Sequence, residues 1–409
     1  MSKYKIILGA LMLSSVAVAS TPAPTPTSTS TPASSTLVAT ESPSTVAAAP
    51  TQKPSIVPTA PVLNANGYVL MDANTGIIIA HKNMHQRMEP ASLTKLMTLY
   101  LTSQAIKQGQ ITLNDKVHIS KSAWQTGGSR MFIQEGSDVS VQDLINGVIV
   151  ASGNDACVAL SQFVGGNEAT FVDMMNQTAQ QLNMVSTHYM DSTGLPNAQH
   201  YTTPYDIALL TRALITNFPQ DYVWYKQKWI TYNNIKQPNR NRLLWRDNSV
   251  DGLKTGHTEE AGYCLVASAE RDGTRLISIV MGAPTDAARA DDSEALLNWG
   301  FRFYHSHKLY DAKQALANPR VWLGANKTVP VGLSQPFYVT IPAGNYSQLQ
   351  PQININTSLK APIQAGQTVG MLTVKLNNAV INEAPIVALT DNPRGGLFAR
   401  AWDHVMMVF

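Results

Sequence analysis

A mixed α/β fold follows from the order of periodicities along the 409 residues: strand-like, then helical for a long stretch, then strand-like again. Composition allows the core such a fold needs. With 44% apolar, 14% charged and 7% aromatic residues, the chain is neither wholly disordered nor collagen-like. At one domain per roughly 150 residues, two or three domains fit.

The N-terminus carries an address. Lys3 and Lys5 precede the apolar run Ile6–Val18, which ends at Ala17-Val18-Ala19. A charged start, a short apolar core and an A-x-A site describe a secretory signal peptide, residues 1–19. The run is shorter than the ~20 residues of a membrane-spanning helix, and no cysteine follows it for lipid attachment. An exported protein is expected. From 20 to 61, 34 of 42 residues are Ser, Thr, Pro or Ala. That is too little apolar surface to offset ordering entropy, so a disordered linker is expected there.

Residues 62–303 read as one domain. Tyr68–Asp72 and Ile77–His81 flank Asn74-Thr75-Gly76 as a hairpin. Ser92–Lys107, Val141–Val150, Cys157–Val164, Phe171–Leu182 and Asp206–Leu214 keep helical spacing. Gly262–Glu270 and Leu276–Gly282 are β-rich runs about the turn Arg271-Asp272-Gly273. A sheet with a helical lobe accounts for this order. Residues 304–393 then show only short β-type runs broken by Pro, Gly and Asn, such as Phe337–Ile341 and Val369–Leu376. A small all-β domain is expected.

The last segment, 394–409, is amphipathic. On a 3.6-residue period Leu397, Phe398, Ala401, Trp402, Val405, Met406 and Phe409 share one face, with Arg400, Asp403 and His404 opposite. It is too short to span a bilayer but suits one lying in the interface.

Charge and cysteine content narrow the function. Thirty Lys and Arg against 27 Asp and Glu leave +3, no footprint for nucleic acid. Two cysteines, Cys157 and Cys264, make neither a disulfide framework nor a thiolate zinc site; two buried thiols are expected, with a single disulfide between them in an oxidising compartment as the alternative. The histidines show no pairing with carboxylates that calls for a metal. No cofactor is implied.

Three short patterns carry chemistry. Ser92-Leu93-Thr94-Lys95 opens a helix, Ser152-Gly153-Asn154 sits in the break before another, and Lys254-Thr255-Gly256 precedes a β-run. An S-x-x-K match alone arises about once by chance in 400 residues, but the ordered trio is far more specific. Ser and Lys at i and i+3 lie on one helix face, so the ammonium nitrogen reaches the hydroxyl. Lysine serves as a base only where burial or a nearby cation keeps it neutral, and Lys254 is the expected cation beside Lys95. Ser152 can relay a proton and the Asn154 amide can orient substrate. A strand after Thr255-Gly256 offers its backbone to an extended peptide. Backbone N–H groups at Ser92 and on that strand would form an oxyanion hole.

The trio resembles the penicillin-binding, active-serine acyltransferase superfamily. The longer strings Pro90-Ala91-Ser92-Leu93-Thr94-Lys95, Ser152-Gly153-Asn154-Asp155-Ala156 and Asp251-Gly252-Leu253-Lys254-Thr255-Gly256-His257-Thr258 resemble its low-molecular-mass D-alanyl-D-alanine carboxypeptidases. Asn239-Arg240-Asn241 and Trp299-Gly300-Phe301-Arg302 fit as well. The resemblance implies a β-lactamase/transpeptidase-like catalytic domain, an antiparallel sheet plus helical lobe, then a small all-β domain and a C-terminal amphipathic helix. It further implies that Ser92 attacks the peptide bond between two terminal D-alanines of a peptidoglycan stem, with Lys95 as base. Lys254, Thr255, Gly256, His257, Arg240 and Arg289 would bind the substrate near its terminal carboxylate. β-Lactams would acylate Ser92, and residues 395–409 would hold the protein on the periplasmic face of the bacterial inner membrane. The same nucleophile would also serve an endopeptidase, a weak β-lactamase or a non-catalytic sensor. Glu294-Ala295-Leu296-Leu297-Asn298 spells a deacylating motif of class A β-lactamases but falls after Lys254-Thr255-Gly256, and is read as a solvated helix face.

Overall fold

The computed structural model describes residues 57–356 and 358–406; the expected signal peptide and nearly all of the expected linker lie outside them. Strand β1 (Gly67–Asp72) turns back into β2 (Ile78–Lys82), as the hairpin pattern requires. Helices α1 (Lys95–Lys107), α2 (Asn154–Gly165), α3 (Glu168–Gln181) and α4 (Pro204–Asn217) follow. The chain then returns to the sheet through β3 (Val250–Thr258), β4 (Gly262–Arg271) and β5 (Thr274–Ala283), and α5 (Asp286–Phe303) covers it.

The sheet is antiparallel throughout, in the order β2-β1-β5-β4-β3. Period-two alternation splits each strand between two cores. Val69 and Met71, Cys264 and Val266, and Ile277, Ile279 and Met281 face the helical lobe. Tyr68 and Leu70, Leu265 and Ala267, and Leu276 and Val280 face α5. Helix α1 is buried over most of its circumference, from Lys95 to Ala105, and forms the middle of the lobe. A terminus of α1 is therefore a rigid place to mount a reactive group. β3, at the edge of the sheet, leaves one backbone edge unpaired by other strands.

The expected helix over 141–150 differs in detail. It is α-helical over Val141–Asn146, then widens into a π-helix, Gly147–Ala151, before Ser152 takes φ +58. That left-handed residue ends the helix and swings the Ser152 side chain out of the helical path.

Beyond α5, β6 (Tyr304–Tyr310) pairs with β7 (Phe337–Pro342). β8 (Leu349–Ile355), β9 (Thr368–Leu376) and β10 (Ala379–Ala388) join two short strands in a second five-stranded sheet around a separate core that includes Val339, Leu372 and Ile386. Asn74 and Thr75 in the β1–β2 turn bond to Ser306 and Thr340 at 3.2 and 2.5 Å, tying this part to the first sheet. Helix α6 (Leu397–Met406) ends the described chain. No helix among the described residues is long and apolar enough to cross a membrane.

Candidate active site

Ser92 stands on a single 3-10 turn, Ala91–Thr94, that opens α1. Ala91 has φ +46, a conformation that costs a non-glycine residue about 1–3 kcal/mol and persists only where neighbours enforce it. Two backbones do so. A Cβ on Gly194 would lie 1.8 Å from the Ala91 carbonyl oxygen, and one on Gly256 would lie 3.1 Å from that of Pro90. Gly194 admits no side chain, and at Gly256 one would fit only if the turn gave way by a few tenths of an ångström.

One helical turn on, Lys95 Nζ donates to Ser92 Oγ at 2.8 Å and to the Thr193 carbonyl at 2.6 Å. The lysine is fully buried. Burial pushes its ammonium down to about 8, with Arg240 acting in the same direction and Cys157, Asp191 and Asp155 opposing. A neutral amine is thus available near neutral pH, hydrogen-bonded to the hydroxyl it would deprotonate. The sequence expectation of Lys254 as the depressing cation is corrected here: burial is the first cause, and Arg240 is the cation that adds to it. Lys254 is itself held well below its ordinary value, by burial and then by Lys95, Arg240 and Arg289.

Ser152, left-handed and buried, meets the second lysine. Lys254 Nζ donates to Ser152 Oγ at 2.8 Å and to the Thr255 carbonyl at 3.0 Å, so it points at the serine rather than along the strand. Two Ser–Lys pairs result, the first within one helical turn and the second between the helical lobe and β3. Asn154 is behind the cleft: its side-chain amide donates to the Gly127 carbonyl at 2.7 Å, and its backbone N–H donates to that of Ser129 at 2.7 Å. It holds the 127–129 segment in place. Asp155 does the same for the next stretch, accepting from the backbone N–H groups of Met131, Phe132 and Ile133 at 2.9, 2.9 and 3.3 Å.

A cavity of about 270 Å³ joins Ser92 and Ser152 to Thr255, Gly256, His257, Arg240 and Arg289. The His257 ring lies 3.9 Å from that of Tyr263, its cross-strand partner between β3 and β4. The two arginines differ. Arg289 is buried and occupied: it donates to the carbonyls of Gly256 and Cys264 at 3.0 and 3.3 Å and pairs with Asp286. Arg240 is exposed to the cavity, donates to Ser129 Oγ at 2.8 Å, and has no ion pair among the described residues. Asp286 and Ser129 also line the cavity and had no motif to announce them. Asp286 follows a helix cap, Thr285, and its pairing with Arg242 at 2.5 Å and with Arg289 is visible only in three dimensions.

Cys157 and Cys264 are buried free thiols, each pushed up to about 11 by burial. Glu294, in the β-lactamase-like string, lies on α5 and pairs with Arg246 at 3.3 Å. Among the described residues no cluster of His, Cys, Asp and Glu could hold a metal.

Residues 55–285 match the family model described as D-alanyl-D-alanine carboxypeptidase, and 304–394 that described as penicillin-binding protein 5, C-terminal domain. The chain is 42% identical over 355 residues to D-alanyl-D-alanine carboxypeptidase DacC of Escherichia coli, covering 85% of this chain and 89% of that one. Its structure resembles penicillin-binding protein 5 from Haemophilus influenzae at TM-score 0.78 and 41% identity, over 82% of this chain and 99% of that one. Penicillin-binding protein D2 from Listeria monocytogenes, solved in an ampicillin-bound form, aligns at TM-score 0.55 and 31% identity over 60% of this chain and all of its own.

Proposed function

The chain belongs to the D-alanyl-D-alanine carboxypeptidase family, and on that premise we propose that it removes the terminal D-alanine from peptidoglycan stem peptides through an acyl-enzyme on Ser92. The observation that carries this is the 2.8 Å contact of a buried, depressed lysine with a serine hydroxyl on the cleft wall. Neutral Lys95 takes the Ser92 proton as Oγ attacks the carbonyl carbon of the penultimate D-alanine. The C–N bond breaks, the proton held by Lys95 passes through the Ser152 hydroxyl, which Lys254 orients, to the leaving amine, and D-alanine departs with Lys95 neutral again. Water then hydrolyses the ester and restores Ser92. The unpaired edge of β3 aligns the peptide, and the Ser92 and β3 backbone N–H groups receive the oxyanion. β-Lactams would enter by the same first step and remain as esters on Ser92.

The terminal carboxylate falls to Arg240 and the Thr255 hydroxyl, because Arg289 is already committed to Gly256, Cys264 and Asp286. Arg289 instead holds β3 through the Gly256 carbonyl. Arg240→Gln is expected to raise KM for a peptide with a free C-terminal carboxylate by roughly 10–100-fold, the range of a charged hydrogen bond of about 1.5–3 kcal/mol. The same peptide with an amidated C-terminus should be affected little. Equal losses on both peptides would remove Arg240 from the carboxylate.

In this reading residues 62–303 form the catalytic domain, 304–393 a β domain, and 394–409 a membrane-surface helix on an exported, periplasmic protein. Exposure and tethering of α6 support the last point. Leu397, Phe398 and Trp402 are 80%, 93% and 68% exposed, so the apolar face is not packed on the protein. The polar face is: Asp403 accepts the Leu323 N–H at 2.7 Å and pairs with Arg320 at 3.4 Å. The tether turns the apolar face outward, as an interfacial helix requires. Truncation after Arg394 should abolish co-sedimentation with phospholipid vesicles and leave acylation by penicillin intact. Continued sedimentation of the truncated protein would sink the anchor.

A further inference from the structure

Behind the Ser92–Lys95 pair lies a polar network that no motif covers. Thr193 and Gly194 form a turn whose donors all converge on one oxygen. Asp191 Oδ1 accepts from the Thr193 N–H at 2.6 Å, the Thr193 hydroxyl at 2.8 Å and the Gly194 N–H at 2.7 Å. On the other side of that turn, the Thr193 carbonyl accepts a hydrogen bond from Lys95 Nζ at 2.6 Å. The neighbouring Ser192 carbonyl accepts from the Thr98 hydroxyl at 2.7 Å and the Cys157 thiol at 2.9 Å, which fixes the turn against α1 and α2. His200 closes the circuit. Its buried ring places Nε2 3.0 Å from the hydroxyl of Thr94, the residue before Lys95, and Nδ1 3.6 Å from Asp191 Oδ2. The Asp191 side chain is only 25% exposed, and among the described residues it has no lysine or arginine partner.

We infer that Asp191, with His200 behind it, is a positioning residue for acyl transfer: it clamps the Thr193–Gly194 turn so that the Thr193 carbonyl holds Lys95 Nζ against Ser92. The inference rests on the reading of Ser92 and Lys95 proposed above. Its geometry explains a second constraint as well. Gly194, with φ +88, presses on the Ala91 carbonyl, so the turn that Asp191 secures also sets the backbone of the nucleophile. One carboxylate thus fixes both partners of the Ser–Lys pair.

The carboxylate also acts through its charge. Burial pushes the Asp191 carboxyl up, but His200, the Thr193 hydroxyl and the Gly194 N–H outweigh it and hold the group well below the usual carboxylate range, so it is ionised at working pH. Asp191 faces Lys95 from this turn, Cys157 and Asp155 from α2, Arg240 from the segment before β3, and Lys254 from β3 itself; Glu168 lies near Cys157. Asp191 therefore favours the ammonium form of Lys95, against burial and the cations. Removing its charge lowers the pH at which Lys95 becomes a base.

The test is the pH profile of Ser92 acylation by a fluorescent penicillin, measured on the full chain. In Asp191→Asn the amide oxygen still accepts from Thr193 and Gly194, so the turn is kept while the charge is lost. The acidic limb should move down by roughly one pH unit, the low end for an opposite charge within about 4–6 Å. Asp191→Glu keeps the charge but shifts the clamp, so its plateau rate should fall with the limb unmoved. A merely structural role lowers the plateau in both and moves neither limb. An unmoved limb in Asp191→Asn, with acylation lost in Ser92→Ala, overturns the inference alone. Acylation that survives Ser92→Ala overturns the reading beneath it. Should Asp191→Asn fail to fold, Thr193→Val removes one clamp donor and keeps the carbonyl; a severalfold slower acylation is expected, and an unchanged rate overturns the clamp.

Discussion

Ser92→Ala is expected to abolish both covalent labelling by a fluorescent penicillin and release of D-alanine, with the fold retained. The loss is total because no other hydroxyl among the described residues has a lysine bond and opens onto the cleft in the same way. Ser152 also meets a lysine, but it sits on the left-handed end of a π-helix, 2% exposed, and its partner Lys254 is anchored in β3. Ser92 is the half-buried one, raised on a turn that opens onto the cleft. The fold should survive because Lys95 Nζ keeps the Thr193 carbonyl when the serine oxygen goes. A net cost of about 1 kcal/mol is the ordinary size for one lost hydrogen bond. A circular dichroism melt checks that point, and labelling at position 92 or nearby in the variant would contradict the assignment.

Lys95→Ala carries the second largest effect. Acylation should slow by about 10²–10⁴-fold, the usual contribution of a positioned general base, while non-covalent binding of penicillin changes little. Stopped-flow acylation separates the two constants. The wild-type rate has its own signature. Lys95 is pushed down to about 8 and must be neutral to act, so the rate should rise with pH through that value and level off above it. At lower pH the ammonium form dominates and the serine has no base. A rate that falls with rising pH across that window would mean that Lys95 acts as a cation instead.

The chain displays these two residues openly because helical spacing makes them local. Ser92 and Lys95 are one turn apart, and any reader of the pattern places them together. The β1–β2 hairpin, α1 to α4 and the β-rich runs were legible for the same reason, since period and turn residues act over short range. What depends on tertiary contact was not legible. Ser152 reaches Lys254 across 102 residues, and only the left-handed turn after a π-helix aims it there. The spacing over 141–150 looks like ordinary helix because one inserted residue does not disturb the apolar pattern enough to show. Burial also had to be seen. Lys254 was expected to be the cation beside Lys95, yet both lysines are enclosed, and enclosure is the first cause of each shift. Arg289 sits on the expected cleft, but its pairing with Asp286 and the Gly256 carbonyl changes what it can bind. Asp191 and His200 are ordinary polar residues in the sequence, joined to Lys95 only by a turn 98 residues downstream of it.

Glycine positions show the same division. Lys254-Thr255-Gly256 was recognisable as a string, but the reason for its glycine is steric: a side chain there would crowd Pro90 and Ala91 beneath the nucleophile at 3.1 and 3.3 Å. Gly194 had no string at all. Its need is stronger, since both its positive φ and its approach to Ala91 exclude a Cβ.

The most direct test of the central claim is D-alanine release from a pentapeptide ending in D-Ala-D-Ala, by the full chain and by Ser92→Ala in parallel. The account predicts release of one D-alanine per peptide that depends wholly on Ser92 and rises with pH through about 8. No release from the wild-type chain, while penicillin still forms a stable ester on Ser92, would contradict it: the nucleophile would stand, and the carboxypeptidase activity would not.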